Sequence, residues 1–266
     1  MLVSVIIPAY NAQKYIANAV RSALEQEGVA EDEREIIVIN DCSSDHTNIV
    51  MEDFVRDPAV RYVENEHNCG VAETRNRGIR MARGKYIAFL DADDWWEPDK
   101  LAAQLALLER TGAVLCYSAR QLHEADGTPT GRTIRVPERV TYEQLLYTNV
   151  IPCGSVVMRT DVAKEFYMSH AELHEDYILW LQVLKAYGAA VGIDEPYLHC
   201  RLSEGGKSRN KLRSAQMQYG VYRLMGFGII KSMYYLCSYA WHGVKKYYGS
   251  QPQIIHIGNK KEEQRC

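Results

Sequence analysis

The sequence predicts an α/β fold, a mainly parallel sheet flanked by helices, followed by a helical C-terminal extension. Three observations carry the prediction. Over the first 120 residues short apolar runs alternate with helical patterns, which is the order of βαβ units. Three polar turns, PAYN (8–11), NDCSSD (40–45) and DADD (91–94), each follow such a run. They should therefore gather at the C-terminal ends of strands, the edge where open α/β sheets bind ligands. From Tyr219 to Ser250 the pattern changes to aromatic residues interleaved with basic ones.

Taken in order, Leu2 to Ile7 reads as the first strand, and PAYN leads into a helix with Tyr15, Ile16, Ala19, Val20 and Ala23 on one side. Glu35 to Ile39 is the second strand, followed by NDCSSD and a helix to about Arg56. Val60 to Val63 is a short third strand, and a helix from about Gly70 to Ala82 precedes the strand Tyr86 to Leu90. Leu101, Leu105 and Leu108 lie at helical spacing ahead of a strand at Ala113 to Ser118. Arg120 to Arg135, with Asp126-Gly127 and Pro129, reads as a hairpin or mobile loop, Thr141 opens a short helix by its cap signal, and Cys153 to Met158 is a further strand candidate. His174-Glu175-Asp176 opens another helix, and Pro196 to Ser208 reads as a donor-rich loop that Gly205-Gly206 lets move.

Composition excludes some classes of function. A chain of 266 residues, 47% hydrophobic and 24% charged, buries a sizeable core, and a net charge of −3 gives no reason to expect nucleic acid as a partner. Seven cysteines without a CxxC pair favour a reducing compartment over a disulfide framework. No basic segment precedes the first apolar run, which Pro8 closes too soon for a signal peptide, so a cytoplasmic protein is expected.

The chemistry centres on KYIAFLDADD (85–94), where a buried-strand pattern ends in Asp91, Asp93 and Asp94. Clustered carboxylates repel one another, and a hard divalent cation with oxygen preference, Mg²⁺ or Mn²⁺, is the usual compensation. A helix cap near Glu97-Pro98 would use one carboxylate and leave two unexplained. PAYN alone is compatible with a plain turn in which Asn11 caps a helix, and Asp45 with a helix cap. Taken with DADD, the turns describe a nucleotide pocket in which Asp41 accepts the N–H of a pyrimidine base and Tyr10 stacks beside it. Arg75 falls on the inward stripe of its helix with Val71, Ile79 and Ala82, a position that calls for an anionic or planar partner.

These motifs, PAYN, NDCSSD, NCGVAETRNRGI and FLDADD, resemble the inverting glycosyltransferases of family 2, densely over residues 2–115 and more thinly to about 210. The resemblance implies a GT-A type nucleotide-diphosphosugar transferase fold over residues 1–210, with 1–118 as the nucleotide-sugar-binding half and 119–210 as the acceptor half. It implies that Pro8, Ala9, Tyr10, Asn11 and Asp41 belong to the donor side with Arg75 nearby. It also implies that Asp93 holds the metal against the donor diphosphate while Asp91 faces the ribose and sugar. Asn40-Asp41 stands where Asp-Asp is common, so Asp41 is the carboxylate expected to matter.

The family's acidic catalytic base sits at an ED-type helix start, here Glu175-Asp176. Helical phase puts Asp176 on the stripe of Trp180, Val183 and Tyr187, and Glu175 on that of Leu179, Gln182 and Ala186. Asp176 is therefore the expected general base, with Glu175 as second choice. Arg201 and Lys207 are candidates for clamping a diphosphate, whereas His199 reads as a satisfied sheet histidine with metal ligation as the alternative.

The resemblance further implies a UDP-sugar donor and a saccharide acceptor, in surface polysaccharide assembly, carried on a polyprenyl diphosphate. The extension, 211–266, suits an interfacial helix on the inner face of the cytoplasmic membrane, because Lys231 interrupts any run of the roughly 18–20 apolar residues needed to span a bilayer. The alternative is a helical pair packed on the domain or on a second subunit as a homodimer. Two other functions compete with this one. A sugar-1-phosphate nucleotidyltransferase needs a Gly-rich basic loop after strand one, which PAYN does not provide. A non-catalytic sugar- or nucleotide-binding scaffold is separated from an enzyme by turnover.

Overall fold

The protein is described by a computed structural model covering residues 1–202 and 211–248. In the first half β1 (Val3–Ala9), α1 (Ile16–Leu24), β2 (Arg34–Asn40), α2 (Thr47–Met51), β3 (Val60–Glu64), α3 (Val71–Met81) and β4 (Tyr86–Phe89) alternate as predicted. Then come β5 (Trp95–Trp96), α4 (Lys100–Thr111), β6 (Leu115–His123), β7 (Pro129–Ile134), β8 (Arg139–Thr141) and α5 (Tyr142–Tyr147). The chain continues through β9 (Val157–Arg159), α6 (Thr160–Phe166), α7 (Glu175–Tyr187), β10 (Ala189–Arg201), α8 (Lys211–Leu224) and α9 (Ile229–Tyr248).

One sheet runs β3-β2-β1-β4-β9-β6-β10-β5, with β7 on β6 and β8 on β10. The four strands β3, β2, β1 and β4 are parallel, as are β6 and β10, and β9 sits antiparallel between β4 and β6. This is an α/β sheet, parallel where the βαβ units are and mixed beyond them. Its inner strands are apolar on both faces because both are covered. Ile6, Ile37, Ile39 and Phe89 join one core with residues of α3, α5 and α7, while Val5, Ile7, Ile36 and Val38 join another with α1 and α4. Gly78 lets α3 lie close on the sheet, since a Cβ there would meet Ile6 Cγ2 at 2.5 Å.

Two local expectations are corrected and a third is narrowed to one of its alternatives. Residues 153–158 do not form one strand; Cys153–Ser155 is a 3₁₀ turn ahead of β9, with the Gly154 carbonyl accepting the Trp96 indole N–H at 2.7 Å. Pro196 to Arg201 is not loop but the end of β10, paired with β6 on one side and β5 on the other. Of the two readings of residues 120–135 the hairpin is the one formed, with Gly127 at φ 93° in its turn and the Asp126 carboxylate accepting the Thr128 N–H at 2.8 Å. Thr141 caps α5 as expected, in a capping box with Gln144.

The extension is helical and one side of it packs on the domain. Val221, Tyr222 and Tyr235 are buried in the same core as α5 and α7, and the Tyr222 hydroxyl donates to the Leu146 carbonyl at 2.7 Å. No described helix is long and apolar enough to cross a membrane. The Gly205-Gly206 pair, Lys207 and the end beyond Tyr248 lie outside the described residues.

Candidate active site

The three turns do converge at the C-terminal edge of β1, β2 and β4, and the first two are bolted together. The Asn11 side-chain oxygen accepts the Ser44 N–H, the Ser43 hydroxyl accepts the Asn11 N–H (both 2.9 Å), and Asp45 accepts the Gln13 N–H at 3.0 Å. Asn11 therefore does not cap α1, which Tyr15 precedes; it sits at φ 51°, a left-handed geometry that asparagine tolerates, and spans to the neighbouring turn. Asp45 ties Thr47 to Gln13 rather than serving one helix alone. Beside this clamp Tyr10 is exposed and Pro8 partly so, while Ala9 is buried.

Asp41 is buried and holds the approach to α3. Oδ1 accepts from Asn65 Nδ2 at 2.7 Å and from the Cys69 N–H at 2.9 Å, and Oδ2 accepts the Gly70 N–H at 2.8 Å. A carboxylate has about four lone-pair sites, so one remains on Oδ2. Asn40, the departure from the common acidic pair, braces the turn by accepting the Ser43 N–H at 3.0 Å and donating to Tyr62 at 2.8 Å.

The acidic turn is arranged around two arginines. Arg75, buried on α3, donates to Asp91 Oδ1 at 2.5 Å and faces Glu175 Oε1 at 3.5 Å, so it joins the end of β4 to the start of α7. A neighbouring contact fixes that geometry: Asn76 exchanges hydrogen bonds with the Met168 backbone at 2.7 and 2.8 Å. Arg201, at the end of β10, gives its N–H to Asp94 Oδ1 at 2.9 Å and its Nε–H to the Asp93 carbonyl at 3.1 Å. Its guanidinium lies 4.7 Å from the Tyr15 ring centre and 5.0 Å from that of Trp95.

Among the described residues neither Asp93 nor Asp94 has a cationic side chain at hydrogen-bond distance from its carboxylate, since Asp94 takes the backbone N–H of Arg201 and the cation Arg75 is on Asp91. Burial, and then the charge of Asp91, push Asp93 up to about 6. Burial and its two acidic neighbours raise Asp94 well above the usual range too. Among the described residues no group of three or more His, Cys, Asp or Glu could hold a metal alone. An all-oxygen donor with surplus negative charge nevertheless fits Mg²⁺ or Mn²⁺, which bind through one or two carboxylates and complete their shells with water and phosphate. His199 does not fit a metal-ligand role: Nε2 meets Glu97 Oε1 at 2.7 Å and Nδ1 meets His123 Nε2 at 2.9 Å, so both ring nitrogens are engaged.

At α7 both carboxylates face the Arg75 region, but differently. Glu175 is buried in the ion pair, whereas Asp176 accepts the neighbouring Tyr177 N–H at 2.8 Å and is raised by burial and by the Glu175 charge. Of the stripe predicted with Asp176, Trp180 and Val183 are fully buried and Tyr187 is exposed. Sequence reasoning missed the cluster of Trp95, His123 and His199 beside Arg201, with Trp95 stacked on His199 at 5.1 Å and 6°. The available signal was Trp95-Trp96 directly after the acidic turn.

Residues 4–166 match the model of glycosyl transferase family 2. The chain belongs to this family. The transferase is 34% identical to Bacillus subtilis TuaG, a glycosyltransferase named for teichuronic acid biosynthesis, over 92% of this chain and 97% of that one. It is 32% identical, over 92% of itself and 95% of the relative, to an Escherichia coli protein, the UDP-Glc:α-D-GlcNAc-diphosphoundecaprenol β-1,3-glucosyltransferase WfgD. Its fold matches that of S. aureus TarS in complex with UDP-GlcNAc at a TM-score of 0.72 and 19% identity, covering 92% of this chain and 73% of that one. The transferase thus has the GT-A architecture, with PAYN, NDCSSD and DADD at the C-terminal edge of β1, β2 and β4.

Proposed function

We propose that this glycosyltransferase is inverting and metal-dependent, and that it moves a hexose or N-acetylhexosamine from a UDP-sugar to a hydroxyl of a saccharide acceptor. The observation that carries the reading is the bridge made by Arg75. It holds Asp91, on the donor edge, and Glu175, at the acidic start of α7, around one buried cation. That juxtaposition supports a donor site and a proton acceptor facing one reaction centre.

Tyr10 offers its exposed ring to the base, with Pro8, Ala9 and Asn11 forming the turn beneath, and Asp41 presents its remaining lone pair. Asp91 is turned toward the ribose and sugar, while Arg201 and Lys207 provide positive charge for the diphosphate. Asp93 would hold the metal; Mg²⁺ or Mn²⁺ supplies, when bound, the charge that stabilises the departing diphosphate. Asp176 takes the proton from the acceptor hydroxyl as its oxygen bonds to the anomeric carbon on the face opposite the leaving group. The bond to the diphosphate oxygen breaks, UDP departs, and the configuration inverts. Asp176 is favoured over Glu175 because Glu175 is committed to the ion pair with Arg75, whereas Asp176 is outside that pair and burial raises its proton affinity.

The relative that names a diphosphoundecaprenol acceptor supports a polyprenyl diphosphate-linked saccharide, in surface polysaccharide assembly on the inner face of the cytoplasmic membrane. A donor panel read by release of nucleoside diphosphate, with and without Mn²⁺ and with a lipid-linked saccharide, tests the reading. Release from UDP-hexoses or UDP-N-acetylhexosamines alone, and only with metal and a saccharide acceptor both present, is expected. Equal release from all nucleotide sugars, or none from UDP-sugars, would reject it.

A further inference from the structure

The helix α9 has two faces, and the packing of the extension on the domain uses only one. Ser232 and Tyr235 are buried against the domain. On the other side Ile230, Met233 and Trp241 are 88%, 46% and 61% exposed, and Cys237 is exposed between them, while Tyr234 at the edge turns its ring to Tyr147 of α5, 6.3 Å between centres. At the turn angle of an α-helix Ile230, Met233, Cys237 and Trp241 fall within an arc of about 80°. Lys231 borders the arc, its Nζ 4.8 Å from the Phe227 ring centre. Large apolar side chains gathered on one exposed helix face mark an interaction surface rather than scattered surface hydrophobicity.

Charge identifies the partner. From Lys211 to Tyr248 the sequence carries six Lys or Arg and no Asp or Glu, whereas residues 1–204 carry 20 Lys or Arg against 32 Asp or Glu. A second copy of this chain would set the same acid-free helix against itself, because a two-fold interface pairs a patch with its own image. A partner for this face needs apolar depth and negative charge together. No described helix can cross a bilayer, which leaves the helix lying in the plane of the headgroups.

We infer that the Ile230–Trp241 face of α9 docks on a bilayer of anionic phospholipid, with Ile230, Met233 and Trp241 in the acyl boundary and Lys231 reaching the headgroups. The inference rests on the lipid-linked acceptor of the proposed reaction for its purpose, since docking would bring enzyme and acceptor into one two-dimensional phase. Its observations, however, are those of α9 alone.

The test is co-sedimentation of the full chain with vesicles of phosphatidylglycerol and phosphatidylcholine mixed, against phosphatidylcholine alone, at low and high salt. Trp241 emission is followed in parallel, with Trp241→Phe as the reference that removes it. Binding to the anionic vesicles that weakens with salt, a blue shift lost in Trp241→Phe, and a loss of about tenfold or more in Ile230→Ser/Trp241→Ser are expected. Those side chains are exposed, so the double variant keeps its fold, and UDP release with a water-soluble acceptor should be unchanged. Equal binding to neutral vesicles, or no effect of the double substitution, overturns the inference. So does a dimer, seen by light scattering, that the double substitution dissolves while vesicle binding is absent. Vesicle binding without any UDP release would instead reject the proposed reaction and leave the docking surface standing.

Discussion

The guanidinium of Arg75 lies 2.5 Å from the carboxylate of Asp91, and through its second nitrogen it faces Glu175 at 3.5 Å. Two carboxylates from different halves of the chain thus share one buried cation. Arg75→Gln would leave them facing each other with no counter-charge. Removing one partner of a buried pair costs about 3 kcal/mol, so the variant should unfold at lower urea and lose turnover. Asp91→Asn keeps the cation and its hydrogen bond, and should lose turnover with a smaller loss of stability. Urea unfolding followed by circular dichroism checks both.

If Asp93 holds the metal as proposed, it should set the pH dependence of metal use. Its pKa stands at about 6, above its ordinary 3.8, chiefly from burial. Metal requires the ionised form, so affinity for Mn²⁺ should be level above pH 7 and fall about tenfold per pH unit below 6. The metal-free protein behaves oppositely: the folded state holds this proton more tightly than the unfolded, so the contribution of Asp93 to stability is present at low pH and lost as pH rises from 4 to 6. Asp93→Ala should abolish both effects. Calorimetric Mn²⁺ titrations at pH 5, 6 and 7 are the check.

Much of this site was legible in the sequence because each turn follows an apolar run whose end fixes where the carboxylates emerge. Asp91, Asp93 and Asp94 needed only the strand to be recognised, and Arg75 only the phase of α3. What local pattern could not show was pairing over long separations. Asn11 and Asp45 read as caps because each begins a helical stretch, yet Asn11 reaches Ser44 across the neighbouring turn, and Asp45 reaches Gln13 as well as Thr47 of its own helix. His199 could not be matched with His123, 76 residues away, nor could the antiparallel β9 be seen entering between β4 and β6. For the extension, composition indicated both packing and an interface, and the structure assigns packing to one face of α9.

Lys100 is a buried lysine that the reaction does not use. Its Nζ has no hydrogen-bond partner among the described residues and lies 3.9 Å from the Trp96 ring centre. Burial pulls its pKa from 10.5 to about 7. The unfolded chain binds this proton more tightly than the folded one, so stability should rise with pH between 7 and 10.5. Lys100→Met should add about 2 kcal/mol at pH 7 and flatten that slope. Thermal unfolding across the pH range reads both.

The two carboxylates of α7 are expected to separate by kinetics. Asp176→Asn should lower kcat by about 10²- to 10⁴-fold with UDP and Mn²⁺ binding retained. Glu175→Gln, which weakens the hold on Arg75, should cost stability more than it costs kcat. Reversed effects, or a main defect of donor binding in Asp176→Asn, would take the general-base role from Asp176.

The most direct measurement is the anomeric configuration of the product, read by proton NMR from the coupling at the new anomeric centre during turnover of an α-linked UDP-hexose of gluco configuration. Direct attack assisted by Asp176, with the diphosphate leaving from the opposite face, predicts the large coupling of a β-linked product from the first turnover. An α-linked product would contradict the account, because it would require two displacements or a front-face path.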